Sequence, residues 1–167
     1  MYRFNRLAHA VMFDPRGLLY RPLRKFYATL DGRFPRLARF FEWHERMFKT
    51  AAFKCRDCGD CSLADCQYMC PESACSKNMR NGPCGGSRGP LCEVEDVPCI
   101  WYRAYHRAKK SGELDGFLKG DLILRDPSLH GSSSWSNFFL GRDHAAAAYE
   151  NAGGGKPGAE TTGREAG

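Results

Sequence analysis

Residues 54–101 read KCRDCGDCSLADCQYMCPESACSKNMRNGPCGGSRGPLCEVEDVPCIW, and this stretch contains all nine cysteines of the chain. Clustered thiols are typical of metal sites in a reducing compartment and of disulfides in an oxidising one. The amino-terminal sequence MYRFNRLAHAVMFDP lacks the apolar run of a signal peptide, because Asp14 and Pro15 interrupt it. We therefore expect a cytoplasmic protein whose fold is organised around cysteine-bound metal.

The spacing of the cysteines favours iron-sulfur clusters. Cys55, Cys58 and Cys61 are each separated by two residues and Cys70 precedes a proline, a combination found in the bacterial ferredoxin run. Eight residues separate Cys61 from Cys70, so the ferredoxin topology does not follow. The stretch contains no histidine, although mixed Cys/His zinc sites are common. Nine cysteines suffice for two four-thiolate centres, which leaves two [4Fe-4S] clusters, two zinc ions or one of each open.

A glycine-rich segment, NGPCGGSRGP at 81–90, surrounds Cys84. Glycines allow close backbone approach and positive φ, and consecutive amides can then point at an anion or at sulfur. A phosphate-binding loop is the competing interpretation, but the lysine-serine signature of such loops is missing. Tight turns without a ligand are the third reading of this segment.

The positive charge is concentrated in the first third of the chain. Residues 1–54 contain 12 Lys or Arg and 4 Asp or Glu, whereas the remaining 113 residues contain 13 and 15, within a net charge of +6. A basic surface of this kind suits an acidic protein, nucleic acid or anionic lipid, and a solvated helical face is the simpler reading. No recognition-helix or ribbon pattern accompanies the charge, so we expect no nucleic-acid partner.

The periodicity outside the cysteine stretch predicts short helices. Residues 1–20 predict an irregular arm, a short amphipathic helix begins at Pro22 and ends at Asp31-Gly32, and Pro35 begins a second helix. The second helix carries a wide apolar stripe that has to be buried, either internally or at a subunit interface. The residues of this stripe are Phe34, Leu37, Ala38, Phe40, Phe41, Trp43, Met47 and Phe48.

Beyond the cysteines, a helix follows Trp101 and ends at Gly112, residues 113–131 are rich in loops, and SSSWSNFF predicts a small serine-capped helix.

Length and composition complete the fold class. The chain has 167 residues, mean hydropathy −0.52 and no span of eighteen apolar residues, so we expect no membrane association. We predict a small mixed fold, mostly α with irregular loops, in which a metal-stabilised cysteine-rich core is flanked by amphipathic helices and extended arms. Its predicted parts are a basic arm with helices at 1–54, the cysteine-rich core at 55–112, a carboxy-terminal arm with a short helix at 113–150, and a disordered tail at 151–167.

Three motifs, CRDCGDC, CPESACSKNMRNGPCGGSRGPLCEV and PCIWYRAYHR, closely resemble the cysteine-rich domain associated with methylenetetrahydrofolate reductase. SSSWSNFFLGRDH resembles the ending of that family, and the resemblance covers about residues 35–145. In the family this domain is fused behind, or encoded as a small partner of, a flavin-containing TIM-barrel reductase. The resemblance implies the small subunit of a MetVF-type complex, with a non-catalytic role.

Eight cysteines match the family's cysteine positions, which implies the metal ligands Cys55, Cys58, Cys61, Cys70, Cys75, Cys84, Cys92 and Cys99. Cys66 matches no family ligand, and Ser76 replaces a proline often found there. The resemblance implies a flavin on the partner subunit, with electrons passing through two [4Fe-4S] clusters to that flavin for reduction of 5,10-methylenetetrahydrofolate to 5-methyltetrahydrofolate. A further electron-donor protein is an additional expected partner, and a structural zinc subunit without redox role is the alternative.

Overall fold

The computed structural model describes residues 2–80, 82–119 and 125–145 and is mostly helical. The helices are α1 (Tyr2–Met12), α2 (Tyr20–Arg33), α3 (Pro35–Phe53), α4 (Pro71–Ala74), α5 (Ile100–Ser111), α6 (Leu114–Lys119) and α7 (Ser134–Phe139), with a 3₁₀ turn at Pro127–Leu129. Strands β1 (Ser87–Arg88) and β2 (Leu91–Cys92) pair antiparallel, with Ser87 opposite Cys92. The predicted fold of short helices and irregular loops is confirmed. Within the described residues, no helix has both the length and the apolar character needed to cross a membrane.

The irregular arm predicted for residues 1–20 is wrong in its first half, where α1 forms. The rings of Tyr2 and His9 on α1 contact the ring of Tyr68, with centroids 5.7 and 5.8 Å away. The Tyr2 hydroxyl also donates to Gln67 Oε1 at 2.9 Å. Packing against the cysteine-rich segment therefore stabilises a helix that local turn signals do not favour.

Helices α2 and α3 meet at a sharp break. Pro35 occupies the first turn of α3, where its missing N–H leaves no donor unpaired. Helix α2 continues to Arg33, slightly beyond the predicted end at Asp31-Gly32. At the other end of α3, Lys54 adopts a left-handed conformation with φ 53° and its amide donates to the carbonyl of Thr50 at 2.9 Å. The end of α3 therefore delivers the chain directly into Cys55.

Two apolar clusters hold the elements together. The aromatic cluster joins α2 to α7 through Tyr20, Tyr27 and Phe139, and the Tyr27 and Phe139 rings stack at 5.0 Å. The second apolar cluster joins the cysteine-rich segment to α5 through Cys66, Met69, Ile100 and Ala104. Neither cluster is large, so the fold buries little apolar surface for its length.

The carboxy-terminal predictions have mixed outcomes. Gly112 ends α5 with φ 76°, as predicted, and α7 begins with the Ser133 hydroxyl accepting from the Ser136 amide at 3.0 Å. Residues 114–119 form α6, so the loop predicted for 113–131 is wrong there; Phe117 of α6 packs on the second apolar cluster. Residues 120–124 of the predicted loop-rich region and the predicted disordered tail at 151–167 lie outside the described residues.

Candidate metal centres

Four of the predicted ligands gather between the end of α3 and the start of α4. We call Cys55, Cys58, Cys61 and Cys70 the first cysteine quartet. The thiol of Cys61 interacts electrostatically with those of Cys58 and Cys70, and the thiol of Cys55 interacts with that of Cys70. Burial raises the pKa of Cys61 to about 11, so a metal bound here would have to displace its proton.

The loop that carries the first cysteine quartet is held by the carboxy-terminal segment. Gly59 is buried with φ 73°, and a β-carbon at this position would lie 1.8 Å from the carbonyl oxygen of Leu129. The side-chain amide of Asn137 donates to the Gly59 carbonyl at 2.8 Å, and the Gly131 amide donates to the Asp57 carbonyl at 2.7 Å. The CGDC motif therefore needs its glycine for close backbone approach.

Asp60, between Cys58 and Cys61, anchors this loop to the same segment. Its carboxylate is fully buried, accepts from the Asp126 amide at 3.0 Å and contacts the ring nitrogen Nδ1 of His144. Burial is the largest single effect and opposes ionisation, but the hydrogen bonds from His144 and from the Asp126 amide, together with the charge of His144, outweigh it and lower the pKa of Asp60. Asp60 and His144 therefore form a buried ion pair next to the first cysteine quartet.

The remaining four predicted ligands surround a second position. Cys75, Cys84, Cys92 and Cys99, the second cysteine quartet, line one small cavity closed by Ile100 and Trp101. Cys75 follows α4, Cys92 lies on β2 and Cys99 precedes α5. Cys84 is exposed, so this position is closer to solvent than the first. The loops between these elements bring the four cysteines together, and the sequence spacing of the cysteines does not determine this grouping.

Backbone amides point at the sulfur atoms of both quartets. In the second, the Met79 amide donates to Cys75 Sγ at 3.4 Å and the Gly86 amide donates to Cys84 Sγ at 3.4 Å. Further amide donors to sulfur are Asp57 for Cys55, Leu63 for Cys61, and Val94 and Glu95 for Cys92. Thiolates accept such bonds better than thiols do, so this donor set fits a thiolate-bound metal or cluster. The Gly86 amide therefore points at sulfur, which is one of the roles predicted for the glycine-rich segment.

Positive side chains stand beside both quartets. The guanidinium of Arg125 approaches Cys58 Sγ through Nη1 at 3.8 Å, while its buried Nε and Nη2 atoms have no hydrogen-bond partner among the described residues. The Lys49 ammonium interacts with Cys61 and Cys55, and the Lys77 ammonium with Cys84 and Cys92. Unpaired buried donors next to sulfur fit a centre that carries negative charge.

The thiols are not arranged in ligand geometry. Within the described residues, no group of three or more Cys, His, Asp or Glu side chains is arranged to hold a metal ion. All nine cysteines are free, and Cys66 is fully buried in the second apolar cluster. Burial raises the pKa of Cys66 to about 12, which favours its neutral thiol. The assignment of eight ligands, with Cys66 excluded, stays a prediction.

Sequence reasoning missed the buried polar side chains around the first cysteine quartet. Glu45 and Lys49 of α3 are 4% and 6% exposed and form an ion pair at 3.0 Å. Their spacing of four residues was the available signal, since such pairs stabilise helices, but it does not distinguish a buried pair from a surface pair. No local pattern marks Asp60 and His144 as partners, because 84 residues separate them.

The apolar stripe of α3 remains largely open to solvent. Phe40, Trp43 and Met47 are 53%, 55% and 56% exposed, so of the two expectations internal burial is wrong for this part of the stripe. An open groove of about 390 Å³ between α1, α3 and α7 continues this surface, reaching from the ring of Phe48 to Cys61. The apolar surface therefore extends to the first cysteine quartet.

Comparisons with known proteins agree with the motifs. A family model described as methylene-tetrahydrofolate reductase C terminal matches residues 34–123, which is more than half of the chain. No curated protein matches. No solved structure matches either. The matched range begins just before α3 and includes every cysteine of both quartets.

Proposed function

The chain belongs to the methylene-tetrahydrofolate reductase C-terminal family, and from this membership we propose that it is the iron-sulfur subunit of a flavin-dependent methylenetetrahydrofolate reductase. In this proposal the flavin and the folate site belong to a TIM-barrel partner. The present chain supplies two cluster sites and a docking surface, and it has no reductase activity alone.

One observation carries the proposal: the predicted ligands of each quartet lie near one another, and backbone amides point at sulfur in both groups. Four thiolates are the ligand set of a [4Fe-4S] cluster, and hydrogen bonds to sulfur tune its potential. The Cys55, Cys58 and Cys61 run provides three ligands at two-residue spacing, one more than a two-cysteine zinc knuckle uses. The unpaired donors of Arg125 add a charge that matches an anionic cluster.

Each cluster, when bound, supplies one-electron chemistry. Two electrons, taken singly from a low-potential donor protein, and two protons from solvent would reduce the partner's flavin to its hydroquinone. A hydride from the reduced flavin would then reach the methylene carbon of 5,10-methylenetetrahydrofolate, and N10 of the folate would take up one proton as the methylene bridge opens, which yields 5-methyltetrahydrofolate and accounts for both hydrogens of the reduced flavin. The residues of this chain hold the clusters, shield the first from solvent and set the charge around both.

The docking surface that we propose for the flavin subunit is the open apolar stripe of α3. Its aromatic and methionine side chains are the types enriched in the centres of interfaces. Arg36 in the first turn of α3 and Lys54 just after its end are exposed and have no ion-pair partner among the described residues. The net charge of +8 over residues 1–54 favours a partner whose matching face is apolar and rimmed by carboxylates.

A zinc protein is the second candidate. Amide donors to cysteine sulfur also fit tetrahedral zinc sites, and the exposed second cysteine quartet has the loop-rich setting of a structural zinc site. In that case the chain would stabilise the flavin subunit without carrying electrons.

The test is anaerobic co-expression with the flavin subunit, followed by co-purification, metal analysis, and visible and EPR spectra before and after dithionite. We expect about eight iron atoms per chain, absorbance that dithionite bleaches and an EPR signal after reduction. Zinc in place of iron, with a colourless and EPR-silent sample, would overturn the iron-sulfur proposal and support the zinc candidate. Iron that is reduced but never exchanges electrons with the flavin would overturn the relay.

A further inference from the structure

The ammonium group of Lys49 is buried near the first cysteine quartet, although lysine is not one of the proposed cluster ligands. It lies on the inner face of α3, one turn before the chain enters Cys55, and its side chain and Cys61 line the same groove. Burying an unpaired ammonium is costly, so its position needs compensating partners. Those partners are Glu45 on one side and the thiols of Cys61 and Cys55 on the other.

Glu45 holds this ammonium in place through a network of donors. Its Oε1 atom accepts from Lys49 Nζ at 3.0 Å, from the Ser134 hydroxyl at 3.0 Å and from the Trp135 amide at 3.2 Å. The Ser133 hydroxyl contacts Oε2, and Lys49 Nζ also contacts Ser134. The charge of Glu45 is therefore shared among several donors, whereas Lys49 is a cation that interacts with the thiols of both Cys61 and Cys55.

We propose that Lys49, oriented by Glu45, is a fixed positive charge that raises the reduction potential of the centre in the first cysteine quartet. This inference rests on the proposed iron-sulfur function. Reduction adds one negative charge to a half-buried site, and burial alone disfavours that change. A buried cation beside two of the four sulfurs offsets the penalty, because charge interactions are stronger where water is excluded. The ion pair with Glu45 at 3.0 Å matches this buried cation with a carboxylate.

The second cysteine quartet provides an internal control. A cation that interacts with it, Lys77, is partly exposed and forms an ion pair with Glu93. Solvent screens such a charge, so its effect on the second centre should be weaker. The two centres should therefore respond to different lysines.

The experiment is an anaerobic redox titration of the full chain, monitored by EPR and absorbance, in the wild type and in four variants. The variants are Lys49→Met, Lys49→Arg, Glu45→Gln and Lys77→Met. Lys49→Met should lower the potential of one centre, with about a tenfold shift in its oxidised-to-reduced ratio at a fixed applied potential, and Lys49→Arg should retain it. Glu45→Gln should shift the same centre upward, and Lys77→Met should affect the other centre by less.

Shifts of the reduction potential in opposite directions in the Glu45 and Lys49 variants would indicate an electrostatic effect. A loss of packing would not change the sign of the shift from one position to the other. If Lys49→Met loses iron, the double variant Glu45→Gln with Lys49→Met keeps the site without either charge, and its potential should lie below that of Glu45→Gln alone. Iron-loaded variants with unchanged potentials would overturn the role of Lys49 and leave the proposed function standing. A wild type without iron would overturn both, and metal analysis alone would reveal it.

Discussion

Cys70 and Cys75 stand at the two ends of a single helical turn, α4, with Cys70 just before Pro71 and Cys75 just after Ala74. Each belongs to a different cysteine quartet. The four residues of α4 span about 6 Å along its axis, so α4 fixes the two proposed centres close to one another. The Ser73 hydroxyl of α4 donates to the Phe53 carbonyl at the end of α3 at 2.9 Å, and this hydrogen bond connects the two helices.

This proximity predicts magnetic interaction between the two centres. When both are reduced, EPR spectra of the iron-loaded protein should be broadened relative to the half-reduced sample. Cys84→Ser, which removes one ligand of the second cysteine quartet, should leave a single unbroadened signal. Two superimposed signals without interaction, in a fully loaded wild type, would contradict the arrangement around α4.

Replacement of Gly59 should disturb the first centre selectively. In Gly59→Ala the new methyl group would collide with the Leu129 carbonyl in a backbone region with φ 73°, and we expect a loss of about 3 kcal/mol with most of the iron of that centre. Gly85→Ala is the matched control, since φ is 75° but no atom of the described residues lies within 4 Å of the added carbon. It should cost about 1 kcal/mol and keep its iron. Iron content and urea unfolding measure both variants; equal losses would contradict the steric argument.

Cys66→Ala should separate the buried thiol from the ligands. Cys66 packs against Met69, Ile100 and Ala104, so truncation should lower the free energy of unfolding by about 1 kcal/mol and retain the full metal content. Cys84→Ser should instead lose about half of the metal, although Cys84 is exposed and contributes little packing. A Cys66→Ala protein with half of the wild-type metal would show that Cys66 is a ligand.

Sequence patterns predicted the parts of the molecule whose causes are local. The Pro35 start of α3, the Gly112 end of α5 and the Ser133 cap of α7 each depend on neighbouring residues, and all three are present. Helix α1 was missed because its stabilising contact, Tyr2 with Tyr68, spans 66 residues. The motifs identified the family, but the division into quartets arises from loops whose paths depend on long-range contacts such as Asn137 with Gly59.

His144 should make stability depend on pH above neutrality. Burial lowers its pKa, but hydrogen bonds to Asp60 and Asp65 outweigh burial and raise it to about 10 from 6.5. The stabilisation is complete below pH 6.5 and should be lost as pH rises through 10. Allowing for solvent screening, His144→Gln should reduce the free energy of unfolding by about 2 kcal/mol at pH 6 and hardly at all near pH 11. Urea unfolding of metal-matched samples checks this, and a difference that is constant with pH would refute it.

The open stripe of α3 should determine assembly with the flavin subunit. Trp43→Ser with Met47→Ser removes two exposed apolar side chains, so the fold and metal content should be unchanged while affinity for the partner falls at least tenfold. Leu118→Ser on α6 is the matched control, because Leu118 is 62% exposed but lies on another element. Binding of the purified chains by calorimetry measures both. Equal affinity of the wild type and the double variant would exclude this stripe as the docking surface, whereas a loss in the Leu118→Ser control alone would place the surface on α6.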